Sequence, residues 1–223
     1  MARKSDHRSA FASDPRFLER LARQGGNPPL PARQADSGPG PQTGKKECRP
    51  SVAKSRMQKV RGANMESRFD TLDLDYSTGA LTAMFPGALL LSLNVMLRTH
   101  DAAGTALKAT WQKRVEALRL ENAVTFRTWI DTAAFPLLVE EIYVTPEAGL
   151  LDVESVSGGC KPIIDAFVSC GFLPDDSRGF IAQPLAYTER GTTGGLMLRF
   201  TPSPRPWGLI ADASVERARE LFA

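Results

Sequence analysis

Residues 152–176 hold the side chains of this chain that are best suited to chemistry: Asp152 and Glu154, then Lys161 and Asp165, then Asp175 and Asp176. In an extended segment, side chains at i and i+2 project from one face, so the spacing predicts that Asp152 and Glu154 point together at one cation. A hard ion such as Mg²⁺ takes oxygen donors of this kind and keeps waters for the phosphate oxygens of a substrate. With Asp176 brought in from beyond the next helix, and Asp175 as a substitute or fourth ligand, three carboxylates would surround the ion. Such a set suits phosphodiester hydrolysis. The plainer alternatives are a polar strand end before a glycine turn for Asp152 and Glu154, and a simple turn after Pro174 for Asp175 and Asp176.

The elements that must position these groups follow from apolar periodicity. Residues 81–93 read as a strand interrupted by Pro86 and Gly87, and 135–145 as a second strand rich in Leu, Val, Ile and Tyr. Between them, Leu107, Trp111, Val115 and Leu118 recur at helical spacing and predict a helix over 105–120. A short helix is expected over 161–170, with Lys161 near its N-cap because Pro162 is tolerated in a first turn, and with Gly171 as its stop. Residues 180–187 and 196–201 read as a hairpin around a glycine- and threonine-rich turn, and 215–222 as a final short helix. The order β-α-β-α-β-β predicts an α/β (α+β) domain with a mixed sheet. A helix over 161–170 separates its ends by roughly 15 Å. Asp176 therefore reaches Asp152 only if the 171–174 loop folds back or a second subunit supplies it.

The 223 residues carry a net charge of +3 that hides a split. Residues 1–63 hold 14 Lys/Arg against 5 Asp/Glu, a net +9, and residues 64–223 hold 14 against 20, a net −6. Together with the Pro- and Gly-rich stretch 24–50, this predicts a disordered basic arm over 1–64 and a linker over 65–79. The folded domain is then expected over 80–205, with a tail over 206–223. A short helix after Asp14, with Pro15 in its first turn, is expected inside the arm. The arm reads either as a source of phosphate contacts to nucleic acid or as a solvated tail, and Met65 is a third candidate for the start of the working protein. The longest apolar run, 88–93, is too short for a membrane span. The basic start lacks an apolar stretch of the secretory type, so a cytoplasmic protein is expected. Cys48, Cys160 and Cys170 have no CxxC spacing, and with only His7 and His100 to join them neither zinc nor a disulfide framework is expected.

The 152–178 segment resembles the RusA-type Holliday junction resolvases, small endonucleases common in phages and prophages. Asp152 and Glu154 stand at that family's paired-acid positions, Lys161 and Asp165 at its Lys-x-x-x-Asp helix, Gly171 at its turn, and Asp175-Asp176-Ser177 at its terminal acids. Upstream, Ser92-Leu93-Asn94 resembles the family's loop after the first strand, with Arg98 nearby. The chain departs from the pattern in having Glu154 for Asp, Ser155 for Asn, and three extra residues before Lys161. The resemblance, which covers about 80–202, implies a RusA-like fold and a homodimeric, Mg²⁺-dependent endodeoxyribonuclease that nicks four-way junctions in recombination and repair. Asp152, Glu154, Asp176 and Lys161 would then be catalytic, with Asp175 an added metal ligand. Ser92, Asn94, Arg98 and Lys161 would contact branched DNA. The alternatives within the same fold are a DNA-binding module that no longer cleaves and a nuclease for other branched phage DNA.

Overall fold

Along the strand Leu137–Thr145 every second residue is buried, so that Leu137, Val139, Glu141, Tyr143 and Thr145 share the covered face. This strand, β3, is an interior strand of a five-stranded mixed sheet. Its companions are β1 (Thr71–Asp75), β2 (Ala80–Pro86), β4 (Ile181–Arg190) and β5 (Gly195–Pro202), in the spatial order β1-β2-β5-β3-β4. The computed structural model describes residues 52–65, 69–98 and 101–222. Among these, six helices flank the strands: α1 (Val52–Met65), α2 (Leu93–Leu97), α3 (Asp101–Glu121), α4 (Ala123–Thr132), α5 (Val153–Ser169) and α6 (Asp212–Phe222). The expected helix after Asp14 and residues 1–51 of the expected arm lie outside the described residues, as do His7, Cys48 and His100.

The mixed α/β class agrees with the sequence expectation, but the pairing differs from it. β4 and β5 do not form a hairpin. Both pair with β3, β4 in parallel from Leu137↔Ile181 to Thr145↔Arg190 and β5 antiparallel from Leu137↔Pro202 to Val144↔Gly195. The turn between them must therefore cross the end of β3, and it is held there by the Gly191 N–H, which donates to the Thr145 carbonyl at 3.1 Å. Parallel strands need a long crossover, and α5 supplies it between β3 and β4.

The predicted stripe of α3 is buried at all four positions, Leu107, Trp111, Val115 and Leu118. Trp111 meets Phe85 of β2 edge-on, with ring centroids 5.5 Å apart, and Phe167 of α5 packs on Phe85, Phe172 and Phe200. Gly171 ends α5 with φ of +81°, as its position past the apolar run predicts. The Phe172 N–H donates to the Phe167 carbonyl at 2.9 Å and the two rings pack 4.9 Å apart, the bond and the apolar contact of a Schellman cap.

Two boundaries move. Residues 52–65, expected within the arm, form α1, which buries Met57, Val60 and Asn64 against the domain. Residues 71–75, expected within the linker, form β1 and pair with β2. A polar hub joins these additions to the core. The Arg114 guanidinium donates to both Asp70 carboxylate oxygens at 2.6 and 2.7 Å, to Asn64 Oδ1 at 3.1 Å and to the Pro86 carbonyl at 3.1 Å. Asn64 in turn donates to the Leu89 carbonyl and accepts from the Leu89 N–H.

Candidate functional site

Helix α5 carries most of the predicted site, and it begins eight residues earlier than the sequence predicts. Asp152 is its N-cap: Oδ1 accepts the Ser155 N–H at 2.6 Å. Hydrogen bonds from the Ser155 hydroxyl and N–H hold the Asp152 carboxyl below its usual range. Glu154 is exposed in the first turn. The two acids are thus not neighbours on one strand face. Two helical positions apart, they lie on opposite sides of the helix.

The reason for the longer helix is visible at Gly158 and Gly159, which the sequence presents as a turn. A Cβ on Gly159 would lie 3.2 Å from the Leu91 carbonyl oxygen, and one on Gly158 would lie 3.0 Å from Leu93 Cδ1. The glycines let the 90–93 segment pack against α5, where the Leu93 N–H donates to Ser155 Oγ at 3.2 Å. Ser92 and Asn94, at the start of α2, are therefore brought beside the first half of α5. Ser92 also lines a cleft of about 270 Å³ with Arg56 and Lys59 of α1. Arg98 is exposed at the other end of α2.

Lys161 stands in the middle of α5, not at its N-cap, and Pro162 lies inside the helix. Its ammonium bonds to Asp165 Oδ1 at 2.8 Å and to Asp176 Oδ2. Asp165 is shared, since its Oδ2 takes Lys108 of α3 at 2.8 Å. Partial burial works to raise the Asp165 carboxyl, and the bonds from Lys108 and Lys161 outweigh it, so the group is held below its usual range. Asp175 is exposed and accepts the Asp176 N–H at 2.9 Å. The loop after Gly171 thus folds back within the same chain. It brings Asp176 to Lys161, about 10 Å along the helix from Glu154. Among the described residues no three His, Cys, Asp or Glu side chains gather as a metal cage. The expected three-carboxylate set of Asp152, Glu154 and Asp176 is therefore not assembled in this arrangement.

Asp176 borders two clefts. One, of about 370 Å³, lies between α3 and α5 and is lined by Lys108 and Asp165. The other, of about 300 Å³, lies between α5 and strands β3 and β4, with Glu141, Ser157, Lys161 and Arg178 in its lining. Glu141 is only 3% exposed, and burial pushes its carboxyl up to about 7 against an opposing hydrogen bond from Ser157. Sequence reasoning missed Glu141, Lys108 and Arg178. The signal for Glu141 was an acid at an inward position of an otherwise apolar alternation.

No protein-family model matches the chain, and a search of curated proteins finds no match. Along α5, Glu154, Ser157, Lys161 and Asp165 recur at intervals of three and four and form one polar ridge. A ridge with carboxylates, a lysine and flanking clefts can bind phosphate oxygens at its cations and a hard cation at its acids.

Proposed function

We propose that this chain is a Mg²⁺-dependent, structure-selective endodeoxyribonuclease of the RusA type that nicks four-way DNA junctions as a cytoplasmic homodimer. The observation that carries the reading is the return of Asp176, within one chain, to Lys161 on the polar ridge that runs from Glu154. The resemblance of 152–178 to that family supports it from the sequence side. The donor set fits Mg²⁺ in kind: the carboxyls are hard oxygen donors, Asp152 is held ionised by Ser155, and Asp152 and Glu154 are both exposed. The expected ligands are Asp152, Glu154 and Asp176, with Asp175 as substitute. Because α5 turns Glu154 away from Asp152 and Asp176 sits on Lys161, about 10 Å along the helix from Glu154, they would meet at one ion only after Asp176 leaves Lys161 and the start of α5 rearranges, or across two protomers. The chemistry such an ion would supply is an activated water and neutralisation of charge on the leaving oxygen. Lys161 binds the scissile phosphate once Asp176 releases it, and Arg56 and Lys59 contact the backbone beside Ser92. Two-fold symmetry of a junction calls for paired nicks, which a C₂ dimer delivers.

A second reading, a branched-DNA-binding module without cleavage, is favoured by one observation: Asp152 and Glu154 diverge around α5 while Lys161 occupies Asp176. Nicking of a four-way junction and of a matched linear duplex, with Mg²⁺ or EDTA, decides between them. The nuclease reading expects symmetric, junction-selective nicks that need Mg²⁺ and fall by at least about a hundredfold in Asp152→Asn and Asp176→Asn. Tight junction binding with no nicks by any of the proteins establishes the second reading instead. Sedimentation at micromolar concentration tests the dimer, and a monomer overturns it.

A further inference from the structure

The cleft between α5 and strands β3 and β4 holds a feature that phosphate cleavage does not use. Its walls are apolar, from Val139, Ile164, Ile181 and Pro184. At Glu141 that apolar lining is broken by a carboxyl whose Oε2 is buried without any hydrogen-bond partner, although the residue is 97% removed from solvent. Ser157 bonds to the same carboxyl, and Lys161 and the exposed Arg178 also line the cleft. A buried acceptor without a donor is uncommon in native proteins, and a ligand that brings a donor to it removes the cost of leaving it bare. The volume, about 300 Å³, is at the small end of ligand pockets.

We propose that this cleft is a nucleotide pocket: a base bearing an exocyclic amine enters between the apolar walls and donates to Glu141 Oε2, and its phosphate pairs with Lys161 and Arg178. Apolar walls suit the faces of a base, and above pH 7, where Glu141 is ionised, its carboxylate accepts from an amine but not from a carbonyl at the base edge. A metal ion is the poorer occupant, because Lys161 and Arg178 balance the charge of Glu141 and Asp176 in the cleft and Lys161 already holds Asp176. The nucleotide comes from DNA, displaced from its stack beside the ridge. Only this last point rests on the DNA-acting reading above.

The test uses the full chain above pH 7 and without Mg²⁺. Calorimetric titration with dCMP against dUMP, and dAMP against dIMP, compares bases that differ at one amine or carbonyl. The amine-bearing member of each pair is expected to bind about tenfold more tightly. Glu141→Gln, of the same shape, is expected to erase that preference. Arg178→Gln, on the surface, is expected to weaken dCMP about threefold while leaving deoxycytidine unchanged. Equal binding within each pair, no binding at millimolar nucleotide, or a preference that survives Glu141→Gln overturns the pocket. A junction carrying 2-aminopurine at its branch point tests the source. Enhanced fluorescence on binding, lost in Glu141→Gln, supports displacement from DNA, and nucleotide binding without enhancement overturns that source and leaves a free-nucleotide site. None of these measurements depends on cleavage, so failure of the nuclease proposal and failure of the pocket are separable.

Discussion

A carboxyl with one oxygen unpartnered in an apolar wall favours its neutral form, and Glu141 shows the consequence as a value near 7 against 4.5 for the free group. Because the folded-state value is the higher one, its stabilising contribution is complete below pH 4.5 and is lost as pH rises through about 7. Glu141→Gln has no such titration. It is expected to lose less stability than the native chain across that window, the gap approaching about 3 kcal/mol. Urea unfolding midpoints at the two ends of the window measure it, and equal slopes for both proteins would refute it. Asp70 is the opposite kind of buried acid, since both its oxygens are bonded to Arg114 and the pair is about 1% exposed. Asp70→Ala leaves a buried guanidinium without its counter-ion. A loss of about 3–5 kcal/mol in unfolding free energy is expected. That pair was not legible in the sequence, where Asp70 and Arg114 are 44 residues apart and each reads as an ordinary surface charge.

At the scale of elements, glycine had two meanings that one sequence could not separate. Gly158 and Gly159 sit inside α5 because the Leu93 side chain and the Leu91 carbonyl approach them, whereas Gly62 of α1 has nothing within 4 Å of where a Cβ would stand. Gly62→Ala is therefore expected to stabilise by about 0.5–1 kcal/mol, through helix propensity alone. Gly159→Leu is expected to destabilise by about 1–3 kcal/mol, by driving Leu90 and Leu91 from α5. Thermal or urea denaturation of the pair checks both signs at once. Gly171, by contrast, is legible as the stop of α5, because a left-handed residue after an apolar run is a local requirement. The start of the same helix lies eight residues ahead of where the sequence points, because what recruits the glycines into it is a tertiary contact.

For the whole molecule, the position of α1 matters most. A chain beginning at Met65 lacks Met57 and Val60, both nearly buried, and the Asn64 bonds that tie Arg114 to residue 89. Two buried side chains of this size account for roughly 3–6 kcal/mol. The truncated chain is expected to unfold at a clearly lower urea concentration than the full chain, or to fail to fold, and equal midpoints would show that α1 is dispensable. No helix among the described residues is long and apolar enough to cross a membrane, in keeping with the short apolar runs of the sequence. The sequence by itself determined the mixed α/β class, the buried stripe of α3, the stop of α5 and the strand character of 137–145. Each is written in periods of two or 3.6 residues, or in one residue's backbone preference, and so needs no knowledge of neighbours. Only the tertiary structure decided that β4 and β5 flank β3, that α1 and β1 belong to the domain, and that Asp152 caps a helix. It alone set Asp176 on Lys161 and left Glu141 beneath them. Apart from the β1–β2 pairing and the Asp152 cap, which are made over a few residues, these depend on which segments meet across 15 to 88 residues of chain, and contacts of that separation leave no periodic trace in the sequence.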